Sequence, residues 1–216
     1  MRYRLLVTHM SDQVELTNPV DLSVGGFSGH VFRRMIHVGM CLIPFAYFNY
    51  GETIAGWFSL TLSQFVSSVV MLLILLEALR LRLGITIFGQ REYEASQISA
   101  VGWSALAIGI VLLVVPVKEY AWPLILSLAL GDPLMGELRR RGLESRHVFL
   151  ASSLFLTGVW ILCWYWFETP LVLAFLFAPL CAASEWPRLR YIDDNATMLL
   201  IPMCGLLLAD PFLHIL

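Results

Sequence analysis

Long apolar runs begin near residue 35 and recur to the end of the chain, separated by short polar stretches that hold most of the charge. A bilayer core of about 30 Å is crossed by about 20 apolar residues as a helix. Seven runs approach that length, at roughly 35–50, 54–77, 96–117, 120–136, 148–167, 170–186 and 196–214. Lipid gives backbone groups no external partner, so helices are the expected form. The fourth run is short, and Pro123, Gly131, Asp132 and Pro133 interrupt it. The pattern predicts an all-α fold: a polytopic integral membrane helical bundle of about seven transmembrane helices. Residues 1–34 are expected to form a cytoplasmic or interfacial N-terminal segment, and residues 35–216 the transmembrane domain. The first segment lacks the apolar core of a signal peptide.

Composition supports this reading. Of 216 residues, 58% are hydrophobic and 14% charged, against about 25% charged in soluble domains. The distribution of charge then orients the bundle. Arg2, Arg4, Arg33 and Arg34 precede the first run; Arg80, Arg82 and Arg91 follow the second. Arg139, Arg140, Arg141 and Arg146 follow the fourth, and Arg188 and Arg190 the sixth. Lys118 alone falls on the other side. The positive-inside rule therefore places the N-terminus in the cytoplasm. Cys41, Cys163, Cys181 and Cys204 lie within apolar runs without metal-ligand spacing and read as small buried hydrophobes.

Four polar clusters lie at the cytoplasmic ends of the runs, where a charge in lipid costs about 2.5–3.5 kcal/mol. Arg33, Arg34 and His37 share a helix face that suits an anion. Glu77 and Arg80 are spaced to pair across one turn, with Arg91 and Glu92 beyond them. Asp132 interrupts an apolar stretch, and Arg139, Arg140 and Arg141 follow it. A carboxylate for a cation beside guanidinium groups for phosphates is what a nucleoside triphosphate requires. Glu185, Asp193, Asp194 and Asn195 form the fourth cluster; helix capping explains one of these residues, not all.

In order and spacing these segments resemble the CTP-dependent polyprenol kinase family, which includes dolichol, phytol and CTP-dependent diacylglycerol kinases. The matching pieces are Arg33-Arg-Met-Ile-His-Val-Gly39, Glu77-Ala-Leu-Arg80, Arg91-Glu92, Gly131-Asp-Pro-Leu-Met-Gly136 and Glu185-Trp-Pro with Asp193-Asp-Asn-Ala-Thr. The resemblance implies transfer of the γ-phosphoryl of CTP to the hydroxyl of a long-chain isoprenoid alcohol in the bilayer, with Mg²⁺. On that reading Asp132 and Asp194 hold the metal. Arg91, Arg139, Arg140 and Arg146 clamp phosphates, and His37 orients one. Asn195 binds phosphate or base. Asp132 is catalytic together with Glu185 or Asp193, one of which accepts the hydroxyl proton. The chain departs from the family pattern at 142–153, which has no lysine and no Glu-Gly.

That departure motivates the first alternative, a non-catalytic relative that binds lipid or assists assembly. A second is a small cation- or proton-coupled transporter, although its charges should then sit near the midplane, and no internal repeat is visible. Nucleic-acid binding has no support, because the arginines follow topology. Trp160, Trp164, Tyr165, Trp166 and Phe167 read as an interfacial belt, with a homo-oligomer contact as the alternative.

Overall fold

The structure is a computed structural model that describes residues 23–187, 189 and 192–213. Among these residues the chain is all-helical. Its helices are α1 (Gly26–Gly39), α2 (Leu42–Trp57), α3 (Leu62–Leu83), α4 (Ala100–Val114), α5 (Lys118–Arg140), α6 (Ser145–Phe167), α7 (Leu171–Ala183) and α8 (Asp194–Leu213). A 3₁₀ turn, Glu92–Ser96, lies in the α3–α4 connection.

Local chemistry sets several boundaries. Thr61 and Gln64 form a reciprocal capping box at the start of α3, and Gly84, at φ 64°, ends that helix in the left-handed region. Ser99 Oγ accepts the Gly102 N–H at 3.0 Å and so caps α4. Trp160, fully buried, donates from Nε1 to Ser127 Oγ at 2.9 Å, and that hydroxyl donates to Pro123 O at 2.7 Å. This relay satisfies the polar atoms of a large core residue and ties α6 to α5.

Helices α3, α6 and α8 are each long and apolar enough to cross a bilayer. Helices α1 and α2 pass the same test together, with a 46° bend between them. Helices α4 and α7 are apolar but shorter, at 15 and 13 residues. The core is built from α5, α6, α7, α8 and part of α4. By contrast α3 is peripheral: of its residues only Val66 and Arg80 are buried.

Three expectations change. The first run is two helices that meet at Met40–Cys41, and α1 starts at Gly26. The boundary drawn at residue 34 therefore falls inside a helix; residues 1–22 of that segment lie outside the described residues. The 120–136 run, expected to be broken, is one continuous helix of 23 residues with Pro123 and Pro133 inside it. Each proline lacks an N–H and so leaves one carbonyl of the preceding turn without its helical donor; the Pro123 carbonyl accepts from Ser127 Oγ. Trp160 is core, not belt, while Trp164, Tyr165 and Trp166 are exposed and Phe167 stacks on Trp122 at 4.4 Å.

The chain runs back and forth between two ends. Tyr120 Oη donates to Asp210 Oδ1 at 2.9 Å at one end, where Thr169 Oγ1 also donates to Glu119 O at 2.7 Å. The other end gathers the arginines.

Candidate functional site

Asp132, on α5, is the centre of the arginine-rich end. From α1, His37 Nδ1 lies 3.3 Å from Asp132 Oδ2. Arg34 Nη1 donates to the Asp132 main-chain oxygen at 3.1 Å and sits 3.9 Å from Oδ2. The two residues are three apart on α1, so one face carries both. Gly136, one turn along α5, makes room for this contact: a Cβ there would lie 2.1 Å from Arg34 Nη2. Arg33 points elsewhere and pairs with buried Glu94 at 2.7 Å.

Arg91 comes from the α3–α4 connection and lies within electrostatic reach of Asp132 and Asp194. It also donates to Tyr93 Oη and stands over that ring. Burial works against its charge, but Tyr93, Asp194 and Asp132 outweigh burial and raise its pKa.

The α7–α8 turn supplies the rest. Asp193 Oδ1 accepts the Asn195 N–H at 3.1 Å, and its carbonyl accepts from Ala196 and Thr197, so Asp193 caps α8. Burial raises its carboxyl pKa. Thr197 Oγ1 lies 2.6 Å from Ser184 O and 2.9 Å from Asp194 O, which fixes the turn against the helix start. Glu185 is thereby held within electrostatic reach of Asp132 and Asp194. Arg139, one α5 face along from Asp132, makes a two-pronged contact with Glu185 at 2.7 and 3.1 Å. Its guanidinium also stacks 4.9 Å above the Trp186 ring.

His37, Arg91, Asp132, Arg139, Glu185, Asp193, Asp194 and Asn195 thus gather at one end. Two residues from the same sequence reading stand apart. Arg140 is engaged by Glu137 on the exposed side of α5, at 2.8 and 2.7 Å. That contact, with a second from Arg141, holds the Glu137 carboxyl down at about 2. Arg146 is exposed in the first turn of α6 and makes no ion pair among the described residues. Arg188 and Arg190 lie outside the described residues.

Of the three α1 residues that the sequence groups on an anion-suited face, Arg34 and His37 reach Asp132 and Arg33 does not. The sequence held the signal for Arg34, since it shares a face with His37. Glu94, the partner of Arg33, had no local signal at all.

Can the residues present hold Mg²⁺? Among the described residues no three His, Cys, Asp or Glu side chains are arranged to hold a metal on their own. The available set is Asp132 with Asp194, and Mg²⁺ commonly takes one or two carboxylates plus phosphate oxygens and water. Two buried polar groups beside this pair lack hydrogen-bond partners: both ring nitrogens of His37, and Asn195 Oδ1. A buried orphan costs about 1–3 kcal/mol, so such a pair marks a place shaped for something more. The donor set fits the ion together with a phosphate ligand.

No family model, curated protein or solved structure matches this chain.

Proposed function

We propose that this protein is a membrane lipid kinase that transfers the γ-phosphoryl of CTP to the hydroxyl of a long-chain isoprenoid alcohol. One observation carries the reading. Four segments far apart in sequence, around residues 34–37, 91, 132–139 and 185–195, meet around a single carboxylate, Asp132. These are the segments through which the chain resembles the CTP-dependent polyprenol kinases.

The arrangement suits the chemistry. Phosphoryl transfer depends on positioning and charge neutralisation more than on covalent help from the protein. Bound at Asp132 and Asp194, Mg²⁺ supplies neutralisation of the phosphate charge. Arg34 and Arg91 hold phosphate oxygens, and His37 orients one of them. Asn195 offers its amide N–H to phosphate, or its free carbonyl oxygen to a donor on the base. Glu185 or Asp193 takes the hydroxyl proton. Glu185 does so only when Arg139 turns from it to a phosphate, which accepts the same two-pronged contact from a guanidinium.

All seven legs of the bundle cross the membrane in this proposal, with α1 and α2 counted as one bent leg. The arginine-rich end then faces the cytoplasm, where nucleotide is found. The lipid alcohol enters between helices, and its hydroxyl reaches the nucleotide at that interface.

The non-catalytic alternative draws on one contact, the closed Arg139–Glu185 pair, which occupies two groups that a kinase needs. Purified protein in detergent, with Mg²⁺, γ-labelled CTP or ATP, and a panel of phytol, geranylgeraniol, polyprenols and diacylglycerol, separates the two. Labelled lipid phosphate from CTP is the expected product. Folded protein that yields none from any pair overturns the kinase.

A further inference from the structure

In the α3–α4 connection Ile85, Ile87, Phe88 and Ile98 are exposed; Phe88 leans on Phe32 of α1 at 5.6 Å, and the remaining fixed points are polar. The strongest is Arg80, 4% exposed, at the end of α3. Arg80 Nε and Nη2 grip the Glu77 carboxylate at 2.9 and 2.8 Å. The remaining donors reach three main-chain oxygens of the connection: Ile85 O at 3.0 Å, Glu94 O at 2.7 Å and Gln97 O at 2.8 Å. Glu77 also accepts the Ser99 N–H, which fixes the start of α4. One guanidinium fork therefore pins the chain both before and after Arg91.

The opposite side is tied to the entry of α1. Val24 N–H donates to Gln90 O at 2.8 Å, and Gly89 N–H to Val24 O at 3.0 Å. Gly89, at φ 86°, has Gly29 O at its back, so no side chain fits there. Glu94, buried, then holds Arg33 of α1 at 2.7 Å. Helix α1 is the element that carries Arg34 and His37. The connection thus bears on the Asp132 centre twice: through Arg91, which lies within electrostatic reach of Asp132 and Asp194, and through Glu94 and Arg33 to α1.

We infer that Glu77 and Arg80 are positioning residues, whose fork sets the α3–α4 connection so that Arg91 faces the phosphate-binding centre. This rests on the nucleotide reading above. Neither residue touches the centre itself. Lysine cannot replace the arginine, because a single ammonium cannot reach a carboxylate and three carbonyls in a plane. A misplacement of about 1 Å at a reacting centre costs on the order of 100-fold, so the effect on turnover is expected to be large.

The test uses the full chain in detergent, with Arg80→Lys, Glu77→Gln, Arg91→Ala and the Arg80→Lys/Arg91→Ala double variant. Hydrogen exchange is read first, and it needs no activity. Faster exchange at the Gly89 and Glu94 amides in Arg80→Lys, with α5 to α8 unchanged, is expected. Unchanged exchange across 85–99 overturns the inference, whether or not the protein is a kinase. Should Arg80→Lys fail to fold, Glu77→Gln carries the same reading. Kinetics follow: Arg80→Lys should raise KM for CTP toward the Arg91→Ala value, and the double variant should be no worse than Arg91→Ala alone. Losses that multiply would mean that Arg80 does not act through Arg91, and overturn it. Wild type that exchanges as expected but transfers no phosphate with any nucleotide sinks the kinase reading and leaves a loop clamp of unrelated purpose.

Discussion

His37 Nδ1 and Asp132 Oδ2 face each other at 3.3 Å across the α1–α5 contact. The imidazole is 1% exposed and has no hydrogen-bonded partner on either nitrogen. Arg34 also contacts Asp132 and Arg91 lies within its electrostatic reach, so Asp132 is where α1, α5 and the α3–α4 connection converge.

Asp132→Asn keeps the shape and removes the charge. The variant is expected to stay folded and to lose lipid phosphorylation by well over the roughly 10–100-fold that outer partners of a metal site cost. Melting temperature and labelled-product yield, taken on one preparation, decide it. Full turnover would remove Asp132 from the mechanism.

How much of this could be read from the chain alone varies by residue. The apolar runs placed the helices well, because periodicity and length depend on local sequence. They failed at Met40–Cys41, where the run bends by 46° between Gly39, the last residue of α1, and Pro44 in the first turn of α2. They also failed at Asp132, where Gly131 and Pro133 suggested a broken backbone, yet the surrounding helices keep α5 continuous. Residue type and depth were enough to put Asp132, Glu185 and Asp194 at the same end of the bundle, where the structure also has them. Which arginine meets which carboxylate was not legible. Arg33 and Arg34 are adjacent in sequence but diverge by helix geometry, one to Glu94 and the other to Asp132.

Gly136→Ala separates activity from stability. Alanine is favoured over glycine inside a helix by about 1 kcal/mol, so thermal stability should hold or rise. The new methyl, however, would occupy the place of the Arg34 guanidinium, 2.1 Å from Nη2. That group is the far end of a flexible side chain and will swing away. The expected result is a higher KM for CTP in a protein that melts no earlier than wild type. An unchanged KM would show that Arg34 contributes nothing to nucleotide binding.

The Arg139–Glu185 pair predicts an asymmetry in stability. Arg139 is 40% exposed at its side chain and Glu185 only 1%. Removing Arg139 leaves a buried carboxyl without its cation; burial already pushes that carboxyl up to about 8, so it must take up a proton to stay buried. Neutralising Glu185 leaves an arginine that water can still reach and that Trp186 still supports. Arg139→Ala should therefore lower the melting temperature clearly more than Glu185→Gln does. Equal shifts would mean that the pair is more open to solvent than its geometry implies.

Arg34 and Arg146 offer the sharpest contrast between sequence order and place. Arg146 follows the Gly131-Asp132 segment in the chain, inside the 142–153 stretch that departs from the resembled pattern. Yet it stands exposed in the first turn of α6, with no ion pair among the described residues. Arg34 lies far upstream, and its guanidinium is on Asp132. A surface arginine without a partner contributes little to stability or to a remote site, whereas a guanidinium at a phosphate centre is worth much more in low dielectric. Arg34→Ala is therefore expected to weaken binding of a fluorescent CTP analogue by at least tenfold, about 1.4 kcal/mol. Arg146→Ala should leave binding within error of wild type. The reverse ranking would move the phosphate site toward the α5–α6 turn, and with it the role of the altered 142–153 segment. That turn would then be where the nucleotide sits, and the Asp132 centre a structural lock between α1 and α5.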